Sequence, residues 1–229
     1  MIIPLYCDNH LLFINKPAGL LSQADHTGDP DALTLSKQFI KEKYNKPGEV
    51  FLGLVHRLDR PASGVMVFAR TSKAARRLFL QFNERTVDKR YLAIVHGSCP
   101  ETGTCESYLL KKKEHVYIVS QREKGAQYAN LSYKKLAVQK GFSLVDIKLA
   151  TGRPHQIRVQ MAAIGHPLLG DFRYGKPTSF DGKNLALHCY SLSLSHPTRD
   201  EKLTQVAAPN KAWDTYFERE LGQLLENTG

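Results

Sequence analysis

The sequence has few of the features that cross-link a protein or place it in a membrane. Its 229 residues include four cysteines, which form neither a CxxC pair nor a zinc-binding spacing. No stretch approaches the ~20 apolar residues of a transmembrane helix. Asp8 and Lys16 interrupt the apolar N-terminus before a signal-peptide core can form. We therefore expect a soluble, cytoplasmic protein without a membrane partner, whose cysteines are buried free thiols.

Internal repeats and linkers rich in Pro, Gly or Ser are also lacking, so we predict a single domain over residues 1–229. Hydrophobic residues make up 42% of the chain, which excludes disordered and low-complexity classes. Basic residues outnumber acidic ones by 32 to 22, giving a formal net charge of +10. This excess favours a polyanionic partner.

Hydrophobic patterning predicts more strands than helices. Helices are expected at 31–44, 72–83, 154–165 and 213–225. Asp31 would cap the first, Ser72 would cap the second, and Pro154 would lie in the first turn of the third. The second helix would bury a stripe formed by Ala75, Leu78, Phe79 and Phe82. Strands are expected at 11–15, 52–58, 65–69, 90–96, 116–120, 132–139, 142–149 and 185–194. The strand at 90–96 is apolar on both faces, and the strands at 132–139 and 142–149 would be joined by a turn at Lys140 and Gly141. No strand–helix–strand rhythm repeats. The predicted class is therefore α+β, with a mixed, largely antiparallel central sheet flanked by helices.

Two segments concentrate polar groups within apolar surroundings, at residues 56–60 and 153–158. On an extended strand Arg57 and Asp59 would point to the same side, so guanidinium groups would flank a lone carboxylate. Cations close to a carboxylate keep it ionised, which suits a nucleophile or a base. In the second segment, Arg158 follows His155 by three residues, so the two side chains would project from neighbouring positions of a helical turn.

Each residue taken singly also has a structural explanation. The Asp–Arg pair could be a structural ion pair, His155 a helix-start histidine and Tyr91 a core tyrosine. A metal site could be built from His56, Asp59, His155, His166 and His188, but no HxH, HExxH or DxD cluster supports one, and none is expected. The three consecutive lysines at 111–113 would lie at a solvated hairpin tip or contact phosphate.

Taken together, the polar segments resemble the motifs of the RluA family of pseudouridine synthases. The matching blocks follow the family's order and span about residues 11–198; they are 15–20, 56–64, 89–91, 151–158, 165–171, 174–175 and 187–188. The resemblance implies a pseudouridine-synthase-like catalytic domain. It also implies an isomerase that converts uridine to pseudouridine in structured tRNA or rRNA, without a metal or organic cofactor.

Residue roles carry over from the resemblance by position. Asp59 would be the catalytic carboxylate, Tyr91 would pack against the target base, Arg158 would pair with Asp59, and Arg57 would fill the space left by the extruded nucleotide. The other substrate-binding residues expected from the two segments are His56, Arg60, Arg153, His155 and Gln156. Whether Asp59 attacks C1′ or removes a sugar proton stays open.

The first matching motif begins within 15 residues of Met1, so no N-terminal RNA-binding module is expected. RNA contacts would then come from basic residues of the catalytic domain, with candidates at Lys37, Lys41, Lys43, Arg76, Arg77, Lys111, Lys112, Lys113, Lys134 and Lys135. Structured RNA is the expected partner, and no obligate protein partner is implied.

Two rival functions are kept. One is a catalytically silent RNA-binding or ribosome-assembly factor, against which the intact Asp59, Tyr91 and Arg158 argue. The other is a metal-dependent phosphodiesterase that would use His56, Asp59 and His155, and its activity would disappear with a chelator.

Overall fold

The computed structural model describes residues 2–182 and 184–226. Its contacts divide the chain into two compact units. The first unit comprises Met1–Asp88 and Cys189–Ala208, and the second comprises Lys89–His188 and Pro209–Gly229. A single domain over 1–229 stays a prediction, and residues 1, 183 and 227–229 of that span lie outside the described residues. No helix in the described part of the chain is long and apolar enough to cross a membrane.

The described residues form eleven strands and four α-helices. The strands are β1 (Ile3–Cys7), β2 (Leu11–Lys16), β3 (Gly53–Leu54), β4 (Ser63–Ala69), β5 (Asp88–His96), β6 (Thr102–Lys112), β7 (His115–Val119), β8 (Gln127–Gln139), β9 (Phe142–Leu149), β10 (Leu187–Ser195) and β11 (Lys202–Val206). The helices are α1 (Ala32–Lys43), α2 (Ser72–Asn83), α3 (Gln156–Ala163) and α4 (Asp214–Glu226). The α+β class is confirmed.

The first unit is built on strands in the order β1-β2-β4-β10-β11, with β3 also paired to β4. Strands β2 and β4 run antiparallel from the pair Leu11–Ala69 to the pair Lys16–Gly64. Alternate residues of these strands, such as Phe13 and Val67, enter one apolar cluster, to which α2 adds Ala74 and Leu78. This cluster fixes the sheet whose end carries residues 59–64.

The second unit contains an antiparallel sheet in the order β5-β9-β8-β6-β7. Strand β5 is apolar on both faces, as the sequence predicts, and its residues 91–95 are all buried. The turn at Lys140 and Gly141, where both φ angles are positive, joins β8 to β9 as predicted. Helix α3 packs Val159 against Leu109, Val116 and Ala129 of the sheet.

Several strand predictions need correction. The strand expected at 52–58 shrinks to β3, two residues long. The hydroxyl of Ser22 bonds both backbone groups of Leu58, and the ring of His56 accepts from the N–H of Val67. Side chains thus make hydrogen bonds to backbone groups that would otherwise bond to a neighbouring strand. The sequence analysis missed β1, β6 and β11, and β6 in particular is polar at most positions, so it lacks a hydrophobic alternation.

The helix predictions are right in place but wrong in detail. The N-cap of α2 is Thr71, whose hydroxyl accepts from Ala74 N–H, rather than Ser72. Phe79, expected in the buried stripe, is 61% exposed, and Ala74 is buried instead. Helix α3 begins at Gln156, after His155 in a left-handed conformation, so Pro154 lies outside the helix. Cys7 is half-buried, whereas the other three cysteines are buried, and all four are free.

Gly64 provides a test of how the first unit is packed at the start of β4. Its φ is +124°, and a Cβ there would overlap the backbone of Cys189. Gly64→Ala should therefore lower the free energy of unfolding by roughly 2 to 5 kcal/mol, combining strain with overpacking. Chemical denaturation measures the change. Gly48→Ala, where a Cβ meets open space, is the matched control, and equal stabilities of the two variants would contradict this packing.

Candidate active site

The segment 16–22 holds the turn that contains Asp59 from both sides. Before Asp59, the Ser22 hydroxyl donates to Leu58 O (2.6 Å) and accepts from Leu58 N–H (3.1 Å). After Asp59, Gly19 N–H donates to Arg60 O at 2.8 Å. The turn closes through a bond from Ala62 N–H to the carbonyl oxygen of Asp59, 3.1 Å long. Asp59 is half-buried, so a fixed backbone presents a carboxylate that solvent still reaches.

Lys16 lies beneath this turn and is fully buried. Its ammonium donates to the carbonyl oxygens of Pro17 (3.0 Å), Leu20 (2.8 Å) and Arg60 (3.4 Å). Three carbonyl acceptors match the three N–H donors of a lysine ammonium. Burial lowers the pKa of Lys16 to about 7, and the negative charge of Asp59 opposes this shift. Lys16 therefore places a titrating cation close to Asp59.

The other polar residues of the first segment have distinct surroundings. His56 Nε2 accepts from Val67 N–H at 3.0 Å, and its ring stacks on Phe82 with centroids 4.8 Å apart. Arg60 donates from Nε to Gly19 O and pairs with Asp29 at 2.7 Å. Arg57 is exposed. Because residues 55–59 lie outside any strand, the alternation expected to place Arg57 and Asp59 on one side does not apply.

In the second unit, Gln156 organises the loop before α3. It is buried, and its Oε1 accepts from the Thr151 hydroxyl (2.7 Å) and Arg153 N–H (3.0 Å). Its Nε2 donates to Asn130 O at 3.0 Å, while Arg153 donates from Nε to Tyr128 O. These bonds fix the backbone of the loop, and substrate contact by Gln156 and Arg153 stays a prediction.

His155 has a left-handed backbone, with φ of 50°. Its Nδ1 lies 2.7 Å from the Tyr174 hydroxyl, which accepts from Val116 N–H at 2.8 Å. Burial raises the pKa of Tyr174, so the hydroxyl keeps its proton. The contact between His155 and Tyr174 is therefore a hydrogen bond whose direction follows the tautomer of His155. A non-glycine residue in this conformation next to a polar network is typical of functional loops.

Arg158 forms a buried, two-pronged ion pair with Asp171. Its Nε and Nη2 lie 2.7 and 2.8 Å from the two carboxylate oxygens, and its guanidinium lies over the Tyr174 ring. Asp171 also accepts from the N–H groups of Arg173 and Tyr174. Although burial alone would raise the pKa of Asp171, the bonds and charge of Arg158 hold it below the usual range.

Tyr91 is buried on β5, directly opposite Ile147 of β9. The structure therefore brings together His56, Arg57, Asp59 and Arg60 in the first unit, and Arg153, His155, Gln156 and Arg158 in the second. The pairing of Arg158 with Asp59 and the packing of Tyr91 against the target base stay predictions.

Four contributing residues were not assigned by the sequence analysis. Lys16, Asp171 and Tyr174 lie inside the matching motifs, so motif membership was an available signal. Ser22 lies outside the motifs and carried no such signal. In the described part of the chain, no group of three or more His, Cys, Asp or Glu side chains could hold a metal ion.

Comparison with known proteins gives one consistent result. A family profile described as RNA pseudouridylate synthase matches residues 10–163. Ribosomal large subunit pseudouridine synthase C of Buchnera aphidicola subsp. Schizaphis graminum is 38% identical and aligns with 96% of this chain and 70% of its own length. tRNA pseudouridine synthase C of Haemophilus ducreyi is 35% identical over 93% of each chain.

The solved structure titled human RNA Pseudouridylate Synthase Domain Containing 4 matches with a TM-score of 0.78. It is 26% identical in sequence and covers 97% of this chain and 93% of its own.

The buried Lys16 makes stability depend on pH. Its pKa falls from 10.5 to about 7 on folding, so between these values the unfolded chain binds more protons than the folded protein. The free energy of unfolding therefore gains a contribution that rises with pH, at most about 1.4 kcal/mol per pH unit. Lys16→Met removes this contribution and the three carbonyl bonds, so its destabilisation should grow from pH 7 to about pH 9. Urea denaturation measures it.

The control for this experiment is Lys202→Met, which alters an exposed lysine of the same unit. Its effect should not change over the same pH range. A destabilisation by Lys16→Met that is constant with pH would contradict the assignment of a low pKa to Lys16.

The ion pair of Arg158 and Asp171 provides a second test. Asp171→Asn keeps the shape of the side chain but leaves a buried guanidinium without this countercharge. We expect the free energy of unfolding to fall by roughly 3 kcal/mol, measured by chemical denaturation. Glu114→Gln removes an exposed carboxylate of the same unit and should have almost no effect. An Asp171→Asn protein as stable as this control would show that the pair contributes little.

Proposed function

Because this chain belongs to the RluA-type RNA pseudouridylate synthase family, and so is an enzyme that isomerises uridine in RNA, we propose that Asp59 is its catalytic carboxylate. The observation that carries this proposal is the turn itself. Segment 16–22 bonds the residue on each side of Asp59, so the carboxylate has a fixed origin, and it is half-exposed. A catalytic group needs both a fixed position and access to its substrate.

The reaction exchanges one bond of the uridine for another. The bond between N1 and C1′ breaks and N1 keeps the electron pair. The uracil turns, C5 joins C1′, the proton on C5 leaves to a base, and N1 takes up a proton. An ionised Asp59 can take part in two ways. It can attack C1′ and be displaced when C5 returns, or it can remove a sugar proton and give it back. Both routes need the carboxylate charged, and both stay open.

The neighbouring cations support this role for Asp59. The negative charge of Asp59 raises the pKa of the Lys16 ammonium against the effect of burial, so the two groups interact electrostatically. We propose that Arg158 supplies the second cation. Its guanidinium is already oriented by Asp171 and Tyr174, so it would not need to be ordered when substrate binds.

The base must leave the RNA stack before it can react. Extrusion costs a few kcal/mol, which contacts to the base and to the vacated position offset. We propose that the Tyr91 ring packs against the extruded uracil and that its hydroxyl accepts the C5 proton. The exposed Arg57 would occupy the vacated position, because its planar cation can both stack and donate hydrogen bonds. His56, Arg60, Arg153, His155 and Gln156 are proposed to contact the substrate or to position the groups that do.

We propose structured RNA as the substrate, in the cytoplasm. One relative is named for ribosomal large subunit RNA and the other for tRNA, so the assay uses both classes. Mapping pseudouridines in cells with and without this protein then identifies the target.

Asp59→Ala tests the catalytic assignment. Transcripts of tRNA and of large-subunit rRNA carrying tritium at uracil C5 release the label to water when the new bond has formed. Asp59→Ala should lower this release by at least about a thousandfold, as when a group acting in the chemical step is removed. Asp200→Ala, which alters an exposed carboxylate of the same unit, should release at the normal rate.

Normal release by Asp59→Ala would refute its role. Each protein is also assayed with a chelator. Release that stops with chelator and returns with a divalent cation would contradict a cofactor-independent reaction.

A further inference from the structure

One face and the end of α1 carry four lysines, here named the α1 ridge: Lys37, Lys41, Lys43 and Lys46. Lys41, Lys43 and Lys46 are exposed and Lys37 is half-buried. Within residues 2–182 and 184–226, none of these four ammonium groups forms an ion pair. The nearest acid along the chain, Glu42, accepts a hydrogen bond from Gln38 instead. The ridge therefore carries four positive charges without an ion-pair partner among the described residues.

Aromatic rings lie between these cations. The Lys43 ammonium lies 5.5 Å from the centre of the Phe39 ring and 5.6 Å from that of Tyr44. The Arg70 guanidinium, at the end of β4, lies 4.6 Å from the Tyr44 ring, which is 42% exposed. Of the two rings, Tyr44 is exposed and Phe39 is half-buried, and cations next to an exposed aromatic ring are typical of surfaces that bind nucleic acid.

The ridge leads away from the Asp59 turn. At the start of α1, Ala32 N–H donates to Leu21 O at 2.8 Å, within the segment that leads from Lys16 to Ser22. Asp29, three residues earlier in the same loop, is linked to the turn as well, since it pairs with Arg60 at 2.7 Å. From there the 12 residues of α1 extend for about 18 Å. A ligand held at Asp59 and longer than this distance can reach the far end of the ridge.

We propose that the α1 ridge binds the phosphate backbone of the substrate RNA, on the part of the RNA that lies outside the target nucleotide. The proposal rests on the proposed function of Asp59, because that role places the reacting nucleotide next to the start of α1. Phosphates would neutralise lysines that now repel one another, most directly Lys37 and Lys41, which are four residues apart on one face.

A purely structural role accounts for only part of the ridge. Lys41 and Lys43 lie in the last turn of α1, where a positive charge interacts favourably with the negative end of the helix dipole. Lys37, in the middle of the helix, and Lys46, beyond its end, gain nothing from the dipole. An anion that spans the helix accounts for all four.

The test combines Lys37→Gln, Lys41→Gln and Lys43→Gln in one protein, since glutamine keeps helix propensity and removes charge. The probes are two RNA hairpins with the same loop, one with a stem of about 16 base pairs and one with a stem of about four, which is shorter than α1. Binding is measured by fluorescence anisotropy between about 50 and 200 mM salt. The control removes three exposed lysines elsewhere by glutamine: Lys124, Lys202 and Lys211.

We expect the ridge variant to bind the long hairpin at least about tenfold more weakly, with a salt slope smaller by about 2 to 3. Its affinity for the short hairpin should change much less, and the control should lose little with either. Equal losses in the ridge variant and the control, or equal losses with both hairpins, would overturn the proposal.

Tritium release by the same ridge variant at saturating RNA should be unchanged, since no ridge residue belongs to the proposed catalytic set. A lower saturated rate would also overturn the proposal. Failure of the Asp59 assignment would be visible separately, as normal release by Asp59→Ala, whatever the binding results.

Discussion

The backbone of the Asp59 turn is held by a neighbouring segment rather than by a strand ladder, and the rest of the site depends on this constraint. Ser22 satisfies both polar backbone groups of Leu58, while Gly19 and Lys16 together satisfy the carbonyl of Arg60. A turn outside a regular strand would otherwise rely on water for these bonds. With them made internally, Asp59 can be half-exposed without its backbone being free to move.

Buried charge recurs in both units, and in each it is compensated differently. Lys16 has three carbonyl dipoles around its ammonium, a neutral cage that leaves a net positive charge near Asp59. Arg158 instead has a full countercharge in Asp171 at close range, so this pair is nearly neutral as a unit. Burying either cation is costly. The burial of Lys16 places a positive charge next to the Asp59 turn. The burial of Arg158 against Asp171 fixes the direction of the guanidinium.

The sequence predicts those parts of the fold that depend on local signals. Helix α1 is bounded by the capping Asp31 and by Pro47 and Gly48, and β5 is apolar on both faces, so both are predicted correctly. Strand β6 owes its place to pairing with β7 and β8 rather than to its own composition, so no local pattern indicates it. Phe79 continues the apolar spacing of α2 but is exposed. The spacing of apolar residues along a helix does not predict how far the sheet that faces the helix extends.

The candidate residues are predicted by type, but their partners are not. Motif resemblance selects Arg158 and His155, whereas their contacts with Asp171 and Tyr174 come from a loop 13 to 19 residues further along the chain. The helix pattern also places Pro154 inside α3, since it cannot foresee that the Gln156 side chain bonds the preceding loop or that His155 adopts a left-handed conformation. Hydrogen bonds between side chains and backbone groups shape the chain locally, and hydrophobic periodicity carries no information about them.

The proposed role of Asp59 as a half-buried catalytic carboxylate sets two opposing conditions. It would have to be open enough for a nucleotide to reach it, yet charged when that nucleotide displaces water from around it. Surface cations would meet the second condition poorly, because solvent and salt screen them and the RNA phosphates compete for them. Lys16 avoids this competition, since it is fully buried and its hydrogen bonds all go to backbone carbonyls. Its charge therefore acts on Asp59 through protein rather than through water, and in the proposed role exclusion of water by the substrate would strengthen that interaction.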